Sequence, residues 1–368
     1  MSVRQRHIMI MAGGTGGHII PGLAVAEALI GSGHRVSWLG SEHGLENDLV
    51  PAAGIELTRL PVRGLRGGGL ANRVLGPLRM SRAVWLAWKG LASQRPDCVL
   101  SMGGFAAAPG GLAAWLRRIP LVVHEQNAVA GYTNRLLARM ARQVLSAFPG
   151  TFEARRQEIT CGNPVRSSIE QLAPPQRRFA ERQQMRLLVL GGSQGAMRLN
   201  QQVIETLAQL DEKQRPVVIH QAGRRHEKAV RDSYRKAGVK ADVRGFIDDM
   251  AAVYGWADLA VARAGALTLS ELQAAGLGSI LIPYPHAVDD HQTLNARHLV
   301  EAGAAFCLQE RDLTHASLSD LLLPCLADRA QCLGMADKAR ALARPGAARE
   351  VAQVCLQAAG DIKPGARV

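Results

Sequence analysis

The fold is decided by the stretch Arg6-His-Ile-Met-Ile-Met-Ala-Gly-Gly-Thr-Gly-Gly-His18, which is followed by a helix-like run from Pro21 to Ile30. A second stretch repeats the pattern: Met185-Arg-Leu-Leu-Val-Leu-Gly-Gly-Ser-Gln-Gly195 precedes a helix-like run from Leu199 to Leu210. Each copy is a short apolar run, a glycine turn and a helical period, which predicts a parallel strand that leads into a helix. Because the unit occurs twice, we predict two similar α/β domains.

Both halves of the chain continue with apolar runs separated by helical stretches. Further strands are predicted at Arg35–Leu39, Cys98–Ser101, Leu121–His124, Gln143–Ser146, Val217–Gln221, Leu259–Ala262, Ile280–Pro283 and Ala305–Leu308. Such alternation predicts doubly wound parallel sheets that bind ligands at the carboxyl ends of their strands. The predicted fold is therefore two Rossmann-like α/β domains, with the active site in a cleft between them.

The chain length supports this division, because 368 residues exceed the usual size of a single hydrophobic core. We expect an N-terminal domain over residues 1–163 and a C-terminal domain over 164–340, with a C-terminal helix at about 341–368 that packs back on the first domain. The proline-containing segment Gly162–Arg186 is interpreted as the linker.

Composition restricts the class of protein. The net charge of +13 predicts an anionic partner, for which nucleic acid, an anionic membrane and a phosphorylated substrate all qualify. Six cysteines without a C-x-x-C pair indicate reduced thiols and favour the cytoplasm. The apolar run Ile8–Ala12 is too short for the core of a signal peptide. The uncharged stretch Cys98–Leu116 holds several glycines, so we predict strand, turn and short helix there rather than a membrane span.

Two glycine loops are candidate anion sites. Gly13–His18 presents backbone N–H groups at the positive end of a helix, which suits a diphosphate; a tight turn alone is the alternative. The dinucleotide pattern G-x-G-x-x-G is broken at Ile19, which disfavours a nicotinamide oxidoreductase. His18 is expected in the first helical turn, where the helix dipole favours the neutral imidazole; catalysis and a capping or packing role are both open. The loop Gly191–Gly195 repeats this logic and adds the Ser193 hydroxyl.

Three further segments carry polar groups after predicted strands. In Arg263–Glu271, the carboxylate of Glu271 could cap the helix or hold a ribose diol. Within Ile282–Gln292, the side chains of residues 289–292 could reach sugar hydroxyls; their adjacency lacks the spacing of metal ligands, and we predict no metal site. His124–Asn127, followed by Gly131–Asn134, indicates either a site at a strand end or a buried hydrogen-bond network.

Residues 57–96 form a basic and apolar segment. It contains no carboxylate and lies between Glu56 and Asp97. Its cations are Arg59, Arg63, Arg66, Arg73, Arg79, Arg82, Lys89 and Arg95, and its apolar side chains include Leu70, Val74, Leu75, Leu78, Trp85 and Trp88. This mixture suits an anionic bilayer surface, where each cation contributes roughly 1 kcal/mol. A solvated helix face is the alternative. RNA is disfavoured because Phe and Tyr stacking platforms are missing, so we predict no nucleic-acid partner.

Taken in order, six motifs resemble those of the MurG family, the UDP-N-acetylglucosamine:lipid I N-acetylglucosaminyltransferases of peptidoglycan synthesis. The motifs are Gly13–His18, His124–Asn127, Gly162–Arg166, Gly191–Gly195, Phe246–Met250 and Arg263–Glu271. The resemblance extends from Gly13 to about Gly303. It implies a GT-B fold, with the donor nucleotide mainly in the C-terminal domain and the lipid acceptor mainly in the N-terminal domain.

The resemblance also implies roles for individual residues. Thr15, Gly16 and Gly17 are expected near the donor and acceptor phosphates, and three residues match donor-binding positions: Asn127, Arg166 and Ser193. Ile247 and Met250 are expected to flank uracil. Diphosphate and ribose are expected at Ala266, Leu267, Thr268, Leu269, Ser270 and Glu271, with Glu271 on the ribose hydroxyls. His291 and Gln292 are expected on the hydroxyls of the transferred sugar; some relatives carry two glutamines there.

The implied reaction is inverting transfer of N-acetylglucosamine (GlcNAc) to the 4-hydroxyl of MurNAc in lipid I, which forms β-1,4-linked lipid II without a cofactor or metal. His18 is the candidate base, and Glu125 and Asn134 are acceptor-side helpers. The expected partners are UDP-GlcNAc, undecaprenyl-linked lipid I, an anionic membrane surface and cell-wall synthesis proteins, at the cytoplasmic face of the inner membrane. A UDP-sugar 2-epimerase and a non-catalytic scaffold that senses UDP-sugar are the rival interpretations.

Overall fold

A computed structural model of the chain describes residues 4–62, 70–152, 157–179, 184–192, 196–287 and 290–361, without the side chains of 70–75 and 361. Two compact units are present: Met1–Arg166 together with Gly346–Val368, and Ser167–Pro345. The sequence analysis placed the boundary between residues 163 and 164.

The N-terminal unit is built on a seven-stranded sheet. Its strands are β1 (His7–Ala12), β2 (Arg35–Ser41), β3 (Glu56–Leu60), β4 (Cys98–Gly103), β5 (Leu121–Glu125), β6 (Gln143–Ser146) and β7 (Glu158–Thr160). They lie in the order β3-β2-β1-β4-β5-β6-β7, and every neighbouring pair is parallel. The chain reverses its winding between β1 and β4, and such a switch point is where α/β sheets bind ligands.

Five helices connect these strands: α1 (Gly16–Gly31), α2 (Glu46–Ala52), α3 (Leu70–Gln94), α4 (Ala107–Leu116) and α5 (Tyr132–Ala138). Strand β1 is buried on both faces, because Ile8 and Ile10 belong to the core cluster that includes α1, while Met9 and Met11 belong to the one that includes α3 and α4. This two-sided burial explains why the strand is a continuous apolar run rather than an alternating one.

The C-terminal unit is built on a six-stranded parallel sheet. Its strands are β8 (Arg186–Leu190), β9 (Val217–Gln221), β10 (Asp242–Arg244), β11 (Leu259–Ala262), β12 (Gly278–Leu281) and β13 (Ala305–Cys307). Their order is β10-β9-β8-β11-β12-β13, so the switch point falls between β8 and β11. The position matches that between β1 and β4 in the N-terminal unit.

Nine helices belong to the described part of this unit: α6 (Ser167–Glu170), α7 (Pro175–Phe179), α8 (Met197–Gln209), α9 (Glu227–Lys236), α10 (Met250–Trp256), α11 (Ala266–Ala275), α12 (His291–Glu301), α13 (His315–Ala327) and α14 (Arg329–Ala341). Short 3-10 turns occur at Glu212–Gln214 and Glu310–Asp312. A core cluster on the sheet combines side chains of β8 and β11 with those of α8, α13 and α14.

Helix α15 (Ala347–Leu356), which a π-helical turn at Gln357–Asp361 follows, belongs to the N-terminal unit. It packs against α1 and β4, and its buried residues Val351 and Cys355 join the core cluster of Ile8 and Ile10. Arg142 donates a hydrogen bond to the carbonyl of Ala358 just beyond this helix. The chain end therefore completes a core that the first residues begin.

Every predicted strand overlaps an observed one, although Ile280–Pro283 is shifted by two residues from β12 (Gly278–Leu281), and three observed strands were missed. The missed strands are β3, β7 and β10, and each lies at the edge of its sheet. Edge strands are only partly buried, so their sequences lack the continuous apolar run on which the prediction depended. The uncharged stretch Cys98–Leu116 divides into β4 and α4, as predicted. Within the described ranges, no helix is long and apolar enough to cross a membrane.

The interpretation of Gly162–Arg186 as a linker was wrong for most of its length. Ile169 of α6 is buried, and Phe179 of α7 joins the core cluster of the C-terminal unit. The buried guanidinium of Arg178 donates hydrogen bonds to the carbonyls of Tyr254 and Ala275. Pro175 begins α7, the helix position that proline favours, so this proline marks a helix start rather than a flexible connection.

Candidate active site

The first glycine turn lies at the carboxyl end of β1 and leads into α1, which begins at Gly16. The carbonyl of Thr15 accepts hydrogen bonds from the amides of His18 and Ile19. No described residue accepts a hydrogen bond from the amides of Gly16 and Gly17. Free first-turn amides at the positive end of a helix form an anion site. His18 lies in the first turn of α1, as predicted.

The first glycine turn packs against a second one, which follows β4 across the switch point. Gly103 and Gly104 both have positive φ angles, +96° and +88°. A Cβ atom on Gly104 would lie 2.3 Å from the carbonyl oxygen of Gly13, and one on Gly103 would lie 3.2 Å from the ring of His18. The two turns therefore approach backbone to backbone. Sequence reasoning missed this part of the site, although a glycine pair directly after an apolar strand was its visible signal.

The buried carboxylate of Glu46 supports the first turn from behind. It accepts hydrogen bonds from the amide of Gly14 at 3.0 Å and from the amide of Ser41 at 2.9 Å. The amide of Gly14 is thus used within the protein, whereas the predicted phosphate contacts of this loop are Thr15, Gly16 and Gly17. Sequence reasoning gave Glu46 no role, because nothing in its local pattern points to Gly14.

Glu125 at the end of β5 is buried, and its two carboxylate oxygens accept five hydrogen bonds. Oε1 accepts from the amides of Gln126 and Asn127 and from the Asn127 side chain, at 3.0–3.1 Å. Oε2 accepts from the amide of Gly131 at 3.1 Å and from the Asn134 side chain at 2.9 Å. The carboxylate therefore holds the segment from Gln126 to Asn134 in one conformation.

Asn134 is buried in the first turn of α5. Its Nδ2 also donates to the carbonyl of His124 at 3.1 Å, and its Oδ1 accepts from the hydroxyl of Ser101 at 3.2 Å. A Cβ atom on Gly103 would lie 3.4 Å from Asn134 Nδ2 and 3.2 Å from the His18 ring. The structure thus places both Asn134 and His18 close to Gly103.

His18 is linked to a buried histidine by an amide side chain. His18 Nδ1 lies 3.0 Å from Gln126 Oε1, and Gln126 Nε2 lies 3.2 Å from His124 Nδ1. His124 Nε2 lies 2.9 Å from the carbonyl oxygen of Gly162. Burial lowers the pKa of His124 to about 4, so this ring is neutral near pH 7. Of the two alternatives for His124–Asn127, the buried hydrogen-bond network is present, and it reaches the partly exposed ring of His18.

In the C-terminal unit, the corresponding glycine turn follows β8. Gly192 has a φ angle of +79°, and a Cβ atom on Gly191 would lie 2.9 Å from Asn200 Oδ1. His220 Nε2 lies 3.0 Å from the same oxygen, and His220 Nδ1 lies 2.9 Å from the hydroxyl of Tyr234. Burial lowers the pKa of His220 to about 3. Ser193, the predicted donor-binding residue of this turn, lies outside the described residues, as do residues 194 and 195.

Helix α11 begins directly after β11, on the other side of this switch point. Gly265 is the N-cap, and no described residue accepts a hydrogen bond from the amides of Leu267 and Thr268. The amide of Leu269 bonds to the carbonyl of Gly265, and the Ser270 hydroxyl bonds to that of Ala266 at 3.0 Å. The side chains of Leu267 and Leu269 are buried, so the first-turn backbone is what this segment offers to an anion.

Glu271 does not cap α11, so that alternative was wrong. It is the sixth residue of the helix, and the N-cap has no side-chain hydrogen bond. The Glu271 carboxylate is buried and accepts a hydrogen bond from the Tyr254 hydroxyl at 3.0 Å. Tyr254 lies in α10, which follows the motif Phe246–Met250. The side chains of Ile247 and Met250, expected near uracil, are both buried in this motif.

The segment after β12 is anchored from two directions. Arg263 donates hydrogen bonds to the carbonyls of Ile282 and Pro283 at 3.2 Å and forms an ion pair with Glu310. Gln292 Oε1 accepts from the amide of Tyr284 at 2.9 Å. This bond orients the Gln292 amide, and no described residue contacts its NH2 group by a hydrogen bond. His291, the first residue of α12, is partly buried beside it.

The remaining predicted residues belong to the N-terminal unit. Asn127 is partly buried and fixed by Glu125, and its carbonyl lies 3.4 Å from the Thr151 hydroxyl. Arg166 is partly buried and is the last residue of this unit before Ser167. The structure thus gathers His18, Asn134 and the segment 124–127 at one sheet edge. It places the residues of α10, α11 and α12 at the corresponding edge of the second sheet.

Two Rossmann-like sheets, each with a glycine turn and a helix N-terminus at its switch point, define the GT-B class of glycosyltransferases. The chain belongs to glycosyltransferase family 28: the model of the family's N-terminal domain matches residues 8–146, and that of its C-terminal domain matches residues 186–351. It is therefore a glycosyltransferase.

Full-length relatives agree with this assignment. A protein of Chromohalobacter salexigens is 54% identical over 364 residues, covering 98% of this chain and 100% of the relative, and is named UDP-N-acetylglucosamine–N-acetylmuramyl-(pentapeptide) pyrophosphoryl-undecaprenol N-acetylglucosamine transferase. A Marinobacter nauticus protein of the same name is 50% identical and covers 96% of this chain and 98% of the relative. A solved structure of MurG from Acinetobacter baumannii is 37% identical, with a TM-score of 0.80 over 96% of this chain and 99% of that one.

Proposed function

We propose that this enzyme transfers GlcNAc from UDP-GlcNAc to the 4-hydroxyl of MurNAc in the undecaprenyl-linked acceptor lipid I, producing β-1,4-linked lipid II. Relatives at 50% identity and above over the whole chain carry the name of this activity. One observation in the structure supports the chemistry most directly. His18 lies in the same first helical turn as Gly16 and Gly17, and no described residue hydrogen-bonds its Nε2.

In this mechanism, the acceptor oxygen forms a bond to the anomeric carbon of GlcNAc while the bond from that carbon to UDP breaks. Inversion follows because the acceptor attacks from the face opposite the leaving group. His18 takes the proton of the acceptor hydroxyl as general base, a role that contributes roughly 10²–10⁴-fold. Negative charge grows on the departing UDP, and preorganised N–H donors stabilise it by roughly 3 kcal/mol each.

On the N-terminal unit, the proposal assigns the amides of Thr15, Gly16 and Gly17 to a phosphate. Glu125 and Asn134 act by position: both oxygens of Glu125 accept N–H groups of the protein, so the carboxylate fixes the segment beside His18 rather than taking the substrate proton. Asn127 and Arg166 remain proposed contacts of the donor, together with Ser193.

On the C-terminal unit, we assign the diphosphate to the first turn of α11, residues 266–268, because the amides of this turn lie at the positive end of the helix. Glu271 binds the ribose hydroxyls, and the hydrogen bond from Tyr254 orients its carboxylate. The backbone around Ile247 and Met250 binds uracil, because the side chains themselves are buried. The NH2 group of Gln292 and the ring of His291 bind hydroxyls of GlcNAc.

We also propose that the N-terminal unit binds an anionic membrane surface from the cytoplasmic side. On α3 and α4, Trp85, Trp88 and Trp115 are each exposed by 41% or more, and Leu78 and Leu116 are exposed beside them. A groove between these helices is lined by Met80, Val84, Leu112 and neighbouring residues. The ammonium group of Lys89 lies 3.6 Å from the Trp85 ring, and the Arg117 guanidinium lies 4.5 Å from the Trp88 ring.

This combination of exposed indole rings and cations suits the interface of an anionic bilayer. Part of the predicted segment 57–96 lies outside the described residues. This part comprises residues 63–69, with Arg63 and Arg66, and the side chains of Leu70, Arg73, Val74 and Leu75. The membrane would bring the enzyme to its lipid-linked acceptor. Cell-wall synthesis proteins as further partners remain a prediction from the sequence.

The transfer is tested by incubating the full-length protein with radiolabelled UDP-GlcNAc and a short-chain analogue of lipid I. A labelled disaccharide on the lipid is expected, with none when the acceptor is omitted. Two outcomes would contradict the proposal. Conversion of UDP-GlcNAc to its 2-epimer without acceptor would indicate the epimerase, and nucleotide binding without turnover would indicate the scaffold.

A further inference from the structure

His124 and Gln126 are buried next to the proposed base, yet the mechanism above gives neither a role. The hydrogen-bond partners of His124 define where its proton lies. A carbonyl oxygen can only accept, so His124 Nε2 must donate to Gly162 across their 2.9 Å contact. Because burial lowers the pKa of this ring to about 4, the ring carries no second proton near pH 7. His124 Nδ1 is therefore an acceptor.

Two acceptors then fix the orientation of the Gln126 amide. Its NH2 group lies 3.2 Å from His124 Nδ1 and 3.3 Å from the carbonyl oxygen of the same residue. Both atoms require a donor, so rotating the amide by 180° would place its oxygen against two acceptors. The backbone of Gln126 is held as well, because its amide donates to Glu125 and its carbonyl accepts from Asn163 at 3.0 Å.

This orientation directs Gln126 Oε1 at His18 Nδ1, 3.0 Å away. An amide oxygen only accepts, so His18 Nδ1 must carry the proton. In the neutral imidazole, the lone pair then lies on Nε2, the ring nitrogen to which no described residue is hydrogen-bonded. The three contacts thus determine which nitrogen of His18 can act as a base.

We infer that Gln126 and His124 are positioning residues that hold His18 in the Nδ1–H tautomer, so that Nε2 accepts the proton of the acceptor hydroxyl. The inference rests on the proposed role of His18. The proton moves from the hydroxyl to Nε2, and the resulting imidazolium keeps its Nδ1–H bond to Gln126. The proton goes no further, because His124 Nδ1 already accepts from the Gln126 NH2 group.

The hydrogen bonds that link His18, Gln126 and His124 need not rearrange during the reaction. Gln126 Oε1 accepts the same N–H before and after His18 is protonated, so the network needs no reorganisation as charge develops. The charged groups near the network are Glu125, whose oxygens accept five N–H groups, and Glu46, which accepts from Gly14. Among the described residues, neither carboxylate accepts a hydrogen bond from an imidazole, which leaves a neutral amide as the orienting group.

The test reads the tautomer directly by NMR. Full-length protein labelled with ¹⁵N-histidine is studied near pH 7 without substrates, and the His18 signals are identified by their loss in His18→Gln. We expect a protonated Nδ1 and an unprotonated Nε2 for His18, and the opposite tautomer for His124. In Gln126→Leu, His18 should shift toward the Nε2–H tautomer, while His124 keeps its proton on Nε2. An Nε2–H tautomer of His18 in the wild-type protein, or an unchanged tautomer in Gln126→Leu, would overturn the inference.

Kinetics separate this role from a structural one. For Gln126→Leu we expect kcat to fall roughly 10- to 100-fold, a part of what a general base contributes, with little change in KM for either substrate. Gln126→Glu retains an oxygen that accepts from His18 Nδ1, so it should keep the Nδ1–H tautomer. Its second oxygen replaces the NH2 group that donates to His124, so it should restore only part of kcat. Equal loss in both variants with an unchanged tautomer would instead indicate a packing role.

A second variant and a control guard against misfolding. His124→Phe removes the group that orients Gln126 and should also mix the His18 tautomers. His220→Phe removes a comparable buried, hydrogen-bonded histidine from the C-terminal unit and should leave the His18 spectrum unchanged. The NMR result does not depend on turnover. A protein with the expected tautomer and no transferase activity would contradict the proposed function and leave the tautomer assignment intact.

Discussion

Each unit contains a buried, neutral histidine whose ring meets the oxygen or nitrogen of an amide side chain. In the C-terminal unit, His220 meets Asn200, whose NH2 group donates to the carbonyl of Ala222 at 3.2 Å. In the N-terminal unit, His124 meets Gln126, whose oxygen continues to His18. The hydrogen bonds from His220 end at the backbone carbonyl of Ala222, near the glycine turn after β8. The hydrogen bonds from His124 end at the imidazole ring of His18.

The difference shows how one arrangement supports two purposes. A neutral buried histidine is a rigid pair of one donor and one acceptor, so the amide next to it can adopt only one orientation. Where that amide faces Gly191, it shapes a turn and nothing titrates. Where it faces His18, it selects the tautomer of a partly exposed side chain. The two networks therefore differ in the group that the amide contacts, and this group, not the buried histidine, decides whether the network has a structural or a catalytic role.

The largest expected effect comes from removing the group at the end of the N-terminal chain. His18→Ala should lower kcat by roughly 10²–10⁴-fold, as expected for a general base, and leave the affinity for UDP-GlcNAc nearly unchanged. Turnover is measured by disaccharide formation, and affinity by calorimetric titration of the donor. The exposed His298 on α12 provides a control, since His298→Ala should retain activity. A loss below about tenfold in His18→Ala would remove His18 from the mechanism.

The second prediction concerns the glycine turns. Gly104→Ala should cost roughly 3 kcal/mol of the free energy of unfolding and lower kcat, because its Cβ atom would lie 2.3 Å from the Gly13 oxygen. Gly54→Ala is the matched control: φ is +72° and the space is open, so only the backbone term of about 1 kcal/mol is lost. Denaturant unfolding and turnover are measured for both. Equal losses would show that the close approach of the two turns is unimportant.

The third prediction compares the buried histidines by pH. Their pKa values, about 4 for His124 and about 3 for His220, lie below the usual 6.5. As the pH falls below about 6.5, both histidines become protonated in the unfolded chain but stay neutral in the native protein. The free energy of unfolding therefore decreases. Each histidine should cost roughly 2–3 kcal/mol by pH 4.5, at about 1.4 kcal/mol per pH unit.

This loss is measured by urea unfolding between pH 7 and pH 4.5 in the wild-type protein, His124→Gln and His220→Gln. Each variant should lose less stability than the wild type over the same interval, because one titrating group is gone. The slopes of both variants should be alike, since burial is the shared cause. If neither substitution flattens the dependence, other groups control acid unfolding.

The smallest expected effect separates the surfaces of the two units. Replacing both Trp85 and Trp88 by alanine should weaken binding to vesicles that contain anionic lipid by roughly 10-fold or more, since each exposed indole buries apolar area on binding. Co-sedimentation with the vesicles measures this, and activity on a water-soluble acceptor should persist. Val217→Ala, which alters an exposed apolar residue of the C-terminal unit, is the control. If the double tryptophan variant bound the vesicles as well as Val217→Ala does, the proposed membrane-binding surface would be wrong.

The outcome for single residues shows how far the sequence could be used. Runs such as Leu259–Ala262 are buried on both faces, so their composition alone predicted strands. Edge strands such as Asp242–Arg244 were missed because half of their surface is open to solvent. Glu125 was predicted to be an acceptor-side helper, and only the structure shows the five hydrogen bonds to its carboxylate from which we propose a positioning role.

The sequence by itself determined the two sheets, their glycine turns and the place of His18 in a first helical turn, because these depend on short-range periodicity and on backbone conformations that neighbouring residues set. The tertiary structure decided the rest. The approach of Gly104 to Gly13, the support of Gly14 by Glu46 and the link from His18 to Gln126 join residues far apart in the chain. Such contacts follow from strand order and packing, which bring distant carboxyl ends to one edge of a sheet and which no local pattern encodes.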